Sequence, residues 1–197
     1  MKIENVEVYG IDAAVRSMRN PMNSWDKNDT VDGELGPNDL KLATRLVGAG
    51  TEHRKFLRSI YVTVDLTLPQ YICAELDTYK VGTVRNSCSF MHKGVSKKFE
   101  IDDFTTDRPE DLTVIIEMLN HLRDLYLKTK DYKYFRRIRQ ILPMGYNYKF
   151  TWTANYEVLL SIYFQRRNHR LKEWHPFCDW IKELPYMQDF INAIENK

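Results

Sequence analysis

Hydrophobic and polar positions change period several times along this chain, and each change marks an element. Ile3, Val6 and Val8 are interspersed with polar residues as far as Gly10, which predicts a strand over 3–9 and a short helix over 12–18. Residues 19–39 (RNPMNSWDKNDTVDGELGPND) are dense in Asn, Asp, Gly and Pro; they read as a long loop, functional or mobile, before a helix capped at Asn38 or Asp39. Residues 40–47 then predict a helix closed by Gly48 and Gly50. Ile60, Val62, Val64 and Leu66 alternate with Tyr61, Thr63 and Asp65 as a strand does, and Pro69 opens a helix over 70–79. Residues 80–101 carry little periodicity and read as loop with at most one short strand. Pro109 opens a long helix to residue 128, with Leu112, Ile115, Ile116, Leu119, Leu122 and Tyr126 on one face. Helices over 132–142 and 155–167 flank a strand over 146–153, and two more helices cover 174–184 and 187–195. That order fits an α+β fold, a small mixed or antiparallel sheet covered by long helices, as a single domain over 1–197.

Composition narrows the function classes. A chain of 197 residues, 43% hydrophobic, can bury one substantial core but not two independent ones. Lys plus Arg of 29 against Asp plus Glu of 27 leaves a charge of +2, too balanced for a duplex-binding protein, so no nucleic-acid partner is expected and any anion must be held locally. Cys73, Cys88 and Cys178 form no C-x-x-C pair, which argues against a disulfide framework or a zinc site. The start MKIENVEVYG lacks a cationic region followed by an apolar one, and no run approaches the ~18 apolar residues of a membrane span. A soluble cytoplasmic protein with no membrane partner and no metal is expected.

The chemistry concentrates between Arg136 and Arg167. Arg136, Arg137 and Arg139 fall in the last turn of a helix stopped at Leu142-Pro143. The following strand places Tyr146, Tyr148, Phe150 and Trp152 on one side and Asn147, Lys149, Thr151 and Thr153 on the other, and Asn155 caps a helix whose apolar stripe leads to Arg166 and Arg167. Arginines at helix ends commonly do no more than offset the dipole and face water. Here a strand joins two such ends, and planar guanidinium forks suit phosphate or a pyrimidine carbonyl.

The pattern R-x-x-L-P, then Y-x-Y-x-F-x-W-T-x-N, then an arginine eleven residues past the asparagine, resembles the C-terminal half of the flavin-dependent thymidylate synthases, the ThyX family. The run W-x-x-F-x-x-W-I-K-E-L-P from Trp174 to Pro185 is similar to that family's ending. The resemblance implies that Arg139 and Arg166 contact deoxyuridine monophosphate (dUMP) and that Asn155 lies near FAD. Two further landmarks are altered. Where the family has G-H-x-x-P-F-E-H, this chain has Gly50-Thr51-Glu52-His53 and then Phe56-Leu57-Arg58-Ser59, so His53 alone matches a histidine. Where the family has R-H-R-x-x-S-x-N-x-x-S-x-R-Y, this chain runs from Thr78 and Tyr79 through Lys80 and Thr83 to Asn86, Cys88 and Ser89, with Phe90-Met91 in place of Arg-Tyr. Two registers across 83–91 stay open, one with a residue inserted after Thr83 that restores Asn86 and Ser89 to N-x-x-S.

The resemblance thus implies substrate contacts at Arg139, Arg166 and Lys80 and cofactor contacts at Asn155, His53, Tyr79 and Asn86. The implied reaction is methylation of dUMP, or a related pyrimidine nucleotide, by methylenetetrahydrofolate with flavin hydride and NADPH as reductant, in a homotetramer whose sites combine residues of several subunits. Lys80 keeps a charge but loses the arginine fork, and Thr78 and Tyr79 remove contacts that would hold flavin. Arg54, Arg58, Arg85, Lys93, Lys97 and Lys98 are near enough in sequence to compensate. Cys88, with Ser89 beside it, is the candidate for chemistry: a thiolate would add to pyrimidine C6. The competing reading of Cys88 is a small buried apolar residue. Against the enzyme stands a second expectation, a protein that keeps the fold and the nucleotide-facing arginines but has lost catalysis.

Overall fold

The structure, a computed structural model, describes residues 1–196. Four strands, β1 (Lys2–Tyr9), β2 (Tyr61–Pro69), β3 (Thr83–Ser87) and β4 (Asn147–Asn155), form one antiparallel sheet in the order β1-β2-β4-β3. Side-chain pairs fix the register of the central strands. Thr63 Oγ1 meets Thr153 Oγ1 at 2.9 Å and Thr151 Oγ1 donates to Asp65 Oδ1 at 2.6 Å, so numbering rises on β2 as it falls on β4. The alternate residues Val62, Val64, Leu66 and Leu68 on β2, and Phe150, Trp152 and Ala154 on β4, are buried, as their period of two requires.

Helices α1 (Ile11–Ser17), α2 (Pro37–Ala49), α3 (Gln70–Leu76), α4 (Phe90–Lys93), α5 (Thr113–Thr129), α6 (Tyr132–Ile141), α7 (Tyr156–Arg166), α8 (Trp174–Glu183) and α9 (Met187–Glu195) complete the order. The expected α+β class, a small antiparallel sheet with long helices, is the observed one. No helix among the described residues is long and apolar enough to cross a membrane.

The chain packs as two compact units. The first contains Met1–Glu4, Asp65–Thr78 and Arg85–Thr151. Its core joins Phe90, Val95, Phe99 and Phe104 to Leu119 and Leu122 of α5 and Phe135 and Ile138 of α6. The second contains Asn5–Val64, Tyr79–Val84 and the chain from Trp152 on. There α2 packs on α9 and α7 on α8, around Trp174, Phe177, Phe190 and Leu159.

Several boundaries depart from the sequence expectation for local reasons. The helix expected to be capped at Asn38 or Asp39 begins at Pro37, whose missing N–H costs nothing in a first turn. Its cap comes from upstream: the Asp29 carboxylate accepts the backbone N–H of both Asn38 and Asp39 at 2.9 Å. Asp39 itself is fully buried. Arg19 grips its Oδ1, with Nε at 2.6 Å and Nη2 at 2.5 Å. Asn28 Nδ2, Asp29 N and Thr30 Oγ1 donate to its Oδ2 at 3.1, 2.8 and 2.7 Å. α3 ends at Leu76, short of Tyr79, because Thr78 turns its hydroxyl back onto the Glu75 carbonyl. Pro109 opens a 3₁₀ turn, and the α-helix starts at Thr113. The 80–101 stretch, expected as loop with at most one short strand, holds both β3 and α4.

Candidate functional site

In the second unit, candidate residues from three separate sequence segments lie around α7. Asn155 is its N-cap, as the sequence predicts: Oδ1 accepts the Val158 N–H at 3.0 Å, and the residue is 7% exposed. The segment carrying Tyr79 and Thr83 runs beside this helix. At Gly82 the backbone adopts φ of +79°, and an added Cβ would sit 2.6 Å from Asn155 Nδ2, so glycine is required twice over. Thr83 Oγ1 donates to the Tyr79 carbonyl at 2.7 Å and closes the turn.

At the other end of α7, Arg166 is held on several sides. Its Nε donates to Tyr79 Oη at 2.9 Å, and that hydroxyl donates in turn to Gln165 Oε1 at 3.0 Å. Its Nη1 lies 3.0 Å from His169 Nε2. The guanidinium carbon stands 5.0 Å from the Trp174 ring centre and 5.6 Å from that of Tyr79, within cation–π range of both. This geometry locks a flexible side chain into one rotamer, so little conformational entropy remains to be lost on binding.

The turn carrying His53 reaches the first turn of α7 through an ion pair. Arg54 grips Glu157 with two prongs, Nε to Oε2 and Nη2 to Oε1, both at 2.9 Å. His53 is exposed, 3.6 Å from the Glu52 carboxylate. It lines a cleft of about 940 Å³ in the same unit, whose walls include Met18, Leu42, Leu46 and Phe56 and whose cations include Lys41 and Arg45. The 19–39 loop supplies one side of that cleft.

In the first unit, Arg139 lies in the last turn of α6 as predicted. Its Nη1 donates to Tyr148 Oη at 2.9 Å, and its guanidinium carbon lies 4.8 Å from the centre of the Phe90 ring. β3 carries Asn86 exposed, and Cys88 and Ser89 follow it, also exposed. Cys88 therefore is not the buried apolar residue of the competing reading; its N–H pairs with the Lys149 carbonyl at 2.9 Å while its thiol stays accessible. Burial pushes the other two thiols, Cys73 and Cys178, up to about 11 each. Lys80 is exposed. Of the charges considered as compensation, Arg54 is taken up by Glu157, Lys97 by Asp103 at 2.6 Å, and Arg85 by Asp77 at 3.0 Å and by the Phe150 ring.

The structure thus gathers Tyr79, Asn155 and Arg166 around one helix, brings the His53 turn to the start of that helix, and leaves Lys80 and Asn86 at the surface. Sequence reasoning missed the residues that hold the arginines. Tyr148 is visible as an aromatic in the strand alternation, but nothing in the pattern marks its hydroxyl as the Arg139 acceptor. His169 and Trp174 lie three and eight residues beyond Arg166, a spacing that only the turn between α7 and α8 makes meaningful.

No protein-family model and no curated protein matches the sequence. Solved structures do. A flavin-dependent thymidylate synthase ThyX from Helicobacter pylori, complexed with FAD and dUMP, superposes with a TM-score of 0.76 over 97% of each chain at 17% identity. Another Helicobacter pylori ThyX structure with FAD and dUMP gives 0.77 over 99% of this chain and 100% of that one at 16% identity. The UMP/dUMP methylase PolB from Streptomyces cacaoi, bound with 5-Br dUMP, gives 0.66 over 99% and 94% at 13% identity. At these identities the likeness is one of fold, and over nearly its whole length this chain has the fold of the ThyX thymidylate synthases.

Proposed function

We propose that this protein is a divergent relative of the flavin-dependent thymidylate synthases that binds a pyrimidine nucleotide, dUMP or a close analogue, through Arg166 and Arg139. The observation that carries the reading is the fixed Arg166 fork, held by Tyr79, His169 and Trp174 at the end of α7 in a ThyX fold. A guanidinium fixed in this way suits a phosphate or a pyrimidine carbonyl, because both accept parallel N–H donors. Arg139, steadied by Tyr148 and Phe90, is the second contact, and Lys80 adds charge. The implied assembly is a homotetramer with shared sites. In its favour, Val81 and Val84 are 89% and 61% exposed on and beside the edge strand β3, apolar surface that a second copy would cover.

FAD fits this chain in one place and not in another. The cleft beside His53 falls within the ~300–1,000 Å³ of cofactor sites, with apolar walls for rings and cations for phosphates. Tyr79 and Asn155 are committed instead to protein partners, Tyr79 to Arg166 and Gln165, and Asn155 to the α7 cap. Bound flavin would supply hydride, and methylenetetrahydrofolate the one-carbon unit, with NADPH as reductant; the residues of this chain bind and orient the nucleotide. Transfer of that unit to the pyrimidine makes the protein a methyltransferase under this reading.

The commitment of Tyr79 favours one alternative, a nucleotide-binding protein of the same fold without flavin or catalysis. Absorbance of the purified protein separates the two. Flavin-like colour, or its recovery on adding FAD, supports the enzyme; colourless protein that still binds dUMP supports the alternative. In either case dUMP affinity falls on the order of 10- to 100-fold in Arg166→Ala and in Arg139→Ala, since a charge-assisted contact contributes about 1.5–3 kcal/mol. Unchanged titration curves in both variants would remove the nucleotide site.

A further inference from the structure

In the first unit, α5 is packed on two of its sides and open on a third. Leu119 and Leu122 enter the core, with Leu112, Ile115, Ile116 and Tyr126 packed against it. A second flank is strapped by the 95–99 segment: Asn120 exchanges hydrogen bonds with the backbone of Phe99 at 2.8 and 2.9 Å, and Arg123 Nε donates to the Val95 carbonyl at 3.0 Å. The remaining face carries Val114, Met118, His121 and Leu125. Val114 and Met118 are 69% and 48% exposed, His121 is exposed and Leu125 is half-buried.

These four residues are spaced 4-3-4, the repeat of a coiled-coil seam, which keeps one stripe facing a partner helix. A helix face that only meets water has no reason to keep that repeat apolar. Charge says which helix covers it. Glu110, Asp111 and Glu117 flank the N-terminal end of α5, with Arg108 the cation among them, and Lys128 and Lys130 flank the C-terminal end. Laid antiparallel on itself, α5 sets the acidic end of each copy beside the basic end of the other and opposes the two helix dipoles. Parallel pairing would stack like charges at both ends. The antiparallel arrangement brings Asp124 near Glu117 of the second copy, but Arg123 already holds Asp124 at 2.8 Å. One patch used by both copies makes the contact self-complementary.

We propose that two copies of this chain pair through α5, antiparallel, with Val114 opposite Leu125 and Met118 opposite His121 across a two-fold axis. The contact is separate from the β3 edge offered above as subunit surface, and it uses no residue of the nucleotide or flavin reading. A seam of about three turns falls short of the ~1,200 Å² of a stable free-standing interface, so the pairing depends on protein concentration unless other contacts between the copies add to it.

The test is the native mass of the intact chain, by sedimentation velocity over a range of protein concentrations. The parent protein is expected to self-associate. Met118→Glu/Leu125→Glu, which sets carboxylates into the seam from both copies, is expected to need at least about 100-fold more protein for the same step. His121→Leu, which takes a polar ring out of the seam, is expected to associate at lower concentration than the parent. Cross-linking reads the orientation: Val114→Cys and Leu125→Cys proteins, mixed and oxidised, should join position 114 of one copy to position 125 of the other, as identified by the mass of the linked peptides. A monomer at every concentration, or a mass unchanged in the double glutamate variant with the circular dichroism of the parent, would overturn the proposal. Linkage of position 114 to itself in Val114→Cys alone also overturns it. Halving of the mass by Val84→Glu, with no change in the α5 variants, keeps a subunit contact at β3 and removes the one at α5. Binding of dUMP enters none of these readouts, so the nucleotide reading stands or falls separately.

Discussion

Two stretches of this chain lack hydrophobic periodicity, 19–39 and 80–101, and they fold in different ways. The first wraps Asp39, fully buried, which Arg19, Asn28, Asp29 and Thr30 surround with hydrogen bonds. The second lies mostly at the surface: Val81, Val84 and Met91 are 89%, 61% and 55% exposed, and Asn86, Cys88 and Ser89 are exposed with them. The first stretch is pinned by a buried carboxylate of its own, with Met22, Trp25 and Val31 left exposed; the second holds no buried polar residue and is anchored by Phe90, Val95 and Phe99 in the core. Polar, aperiodic sequence therefore says where regular packing stops but not what anchors the segment.

The contrast can be broken most forcefully at Asp39. Asp39→Ala leaves Arg19 buried without its counter-ion, an expected loss of about 3–5 kcal/mol in a urea unfolding series. A loss under ~1 kcal/mol would mean that the 19–39 loop is not held as described. A smaller effect separates the cysteines of the two kinds of environment. Burial raises Cys73 and Cys178 to about 11, so between pH 9 and 11 the unfolded chain gives up protons that the folded chain keeps. Stability is then fully present below pH 9 and falls as pH rises through this window, by at most about 1.4 kcal/mol per pH unit for each thiol. Cys73→Ala should flatten the fall.

Smaller again is Tyr79→Phe, which keeps the ring against Arg166 but removes the hydroxyl that accepts from it. Loss of about 1 kcal/mol of positioning predicts roughly fivefold weaker dUMP binding with unchanged thermal stability. A melting temperature that drops with affinity unaltered would make Tyr79 a packing residue only. The smallest effect belongs to Val84→Thr, expected within about 0.5 kcal/mol of the parent in the isolated chain because the side chain is mostly in water.

Much of the fold was legible because burial and period coincide. β2 and β4 alternate in sequence and in burial, and Asn155 marks the start of α7 by the side-chain cap that an N-cap position favours. The start of α2 was not legible, because Asp29 reaches it across eight intervening residues and no local signal encodes that reach. β3, allowed for as one short strand within 80–101, could not be placed there because a mostly exposed edge strand has no buried side to impose alternation. At the candidate site, the sequence indicated the guanidinium groups but not their holders: Tyr148, His169 and Trp174 become partners only once β4 and the turn after α7 are folded.

The most direct test of the account is a crystal structure of the protein grown with dUMP. The account predicts the nucleotide within hydrogen-bonding distance of the Arg166 and Arg139 side chains of the assembly. A nucleotide bound out of reach of both guanidinium groups would contradict it.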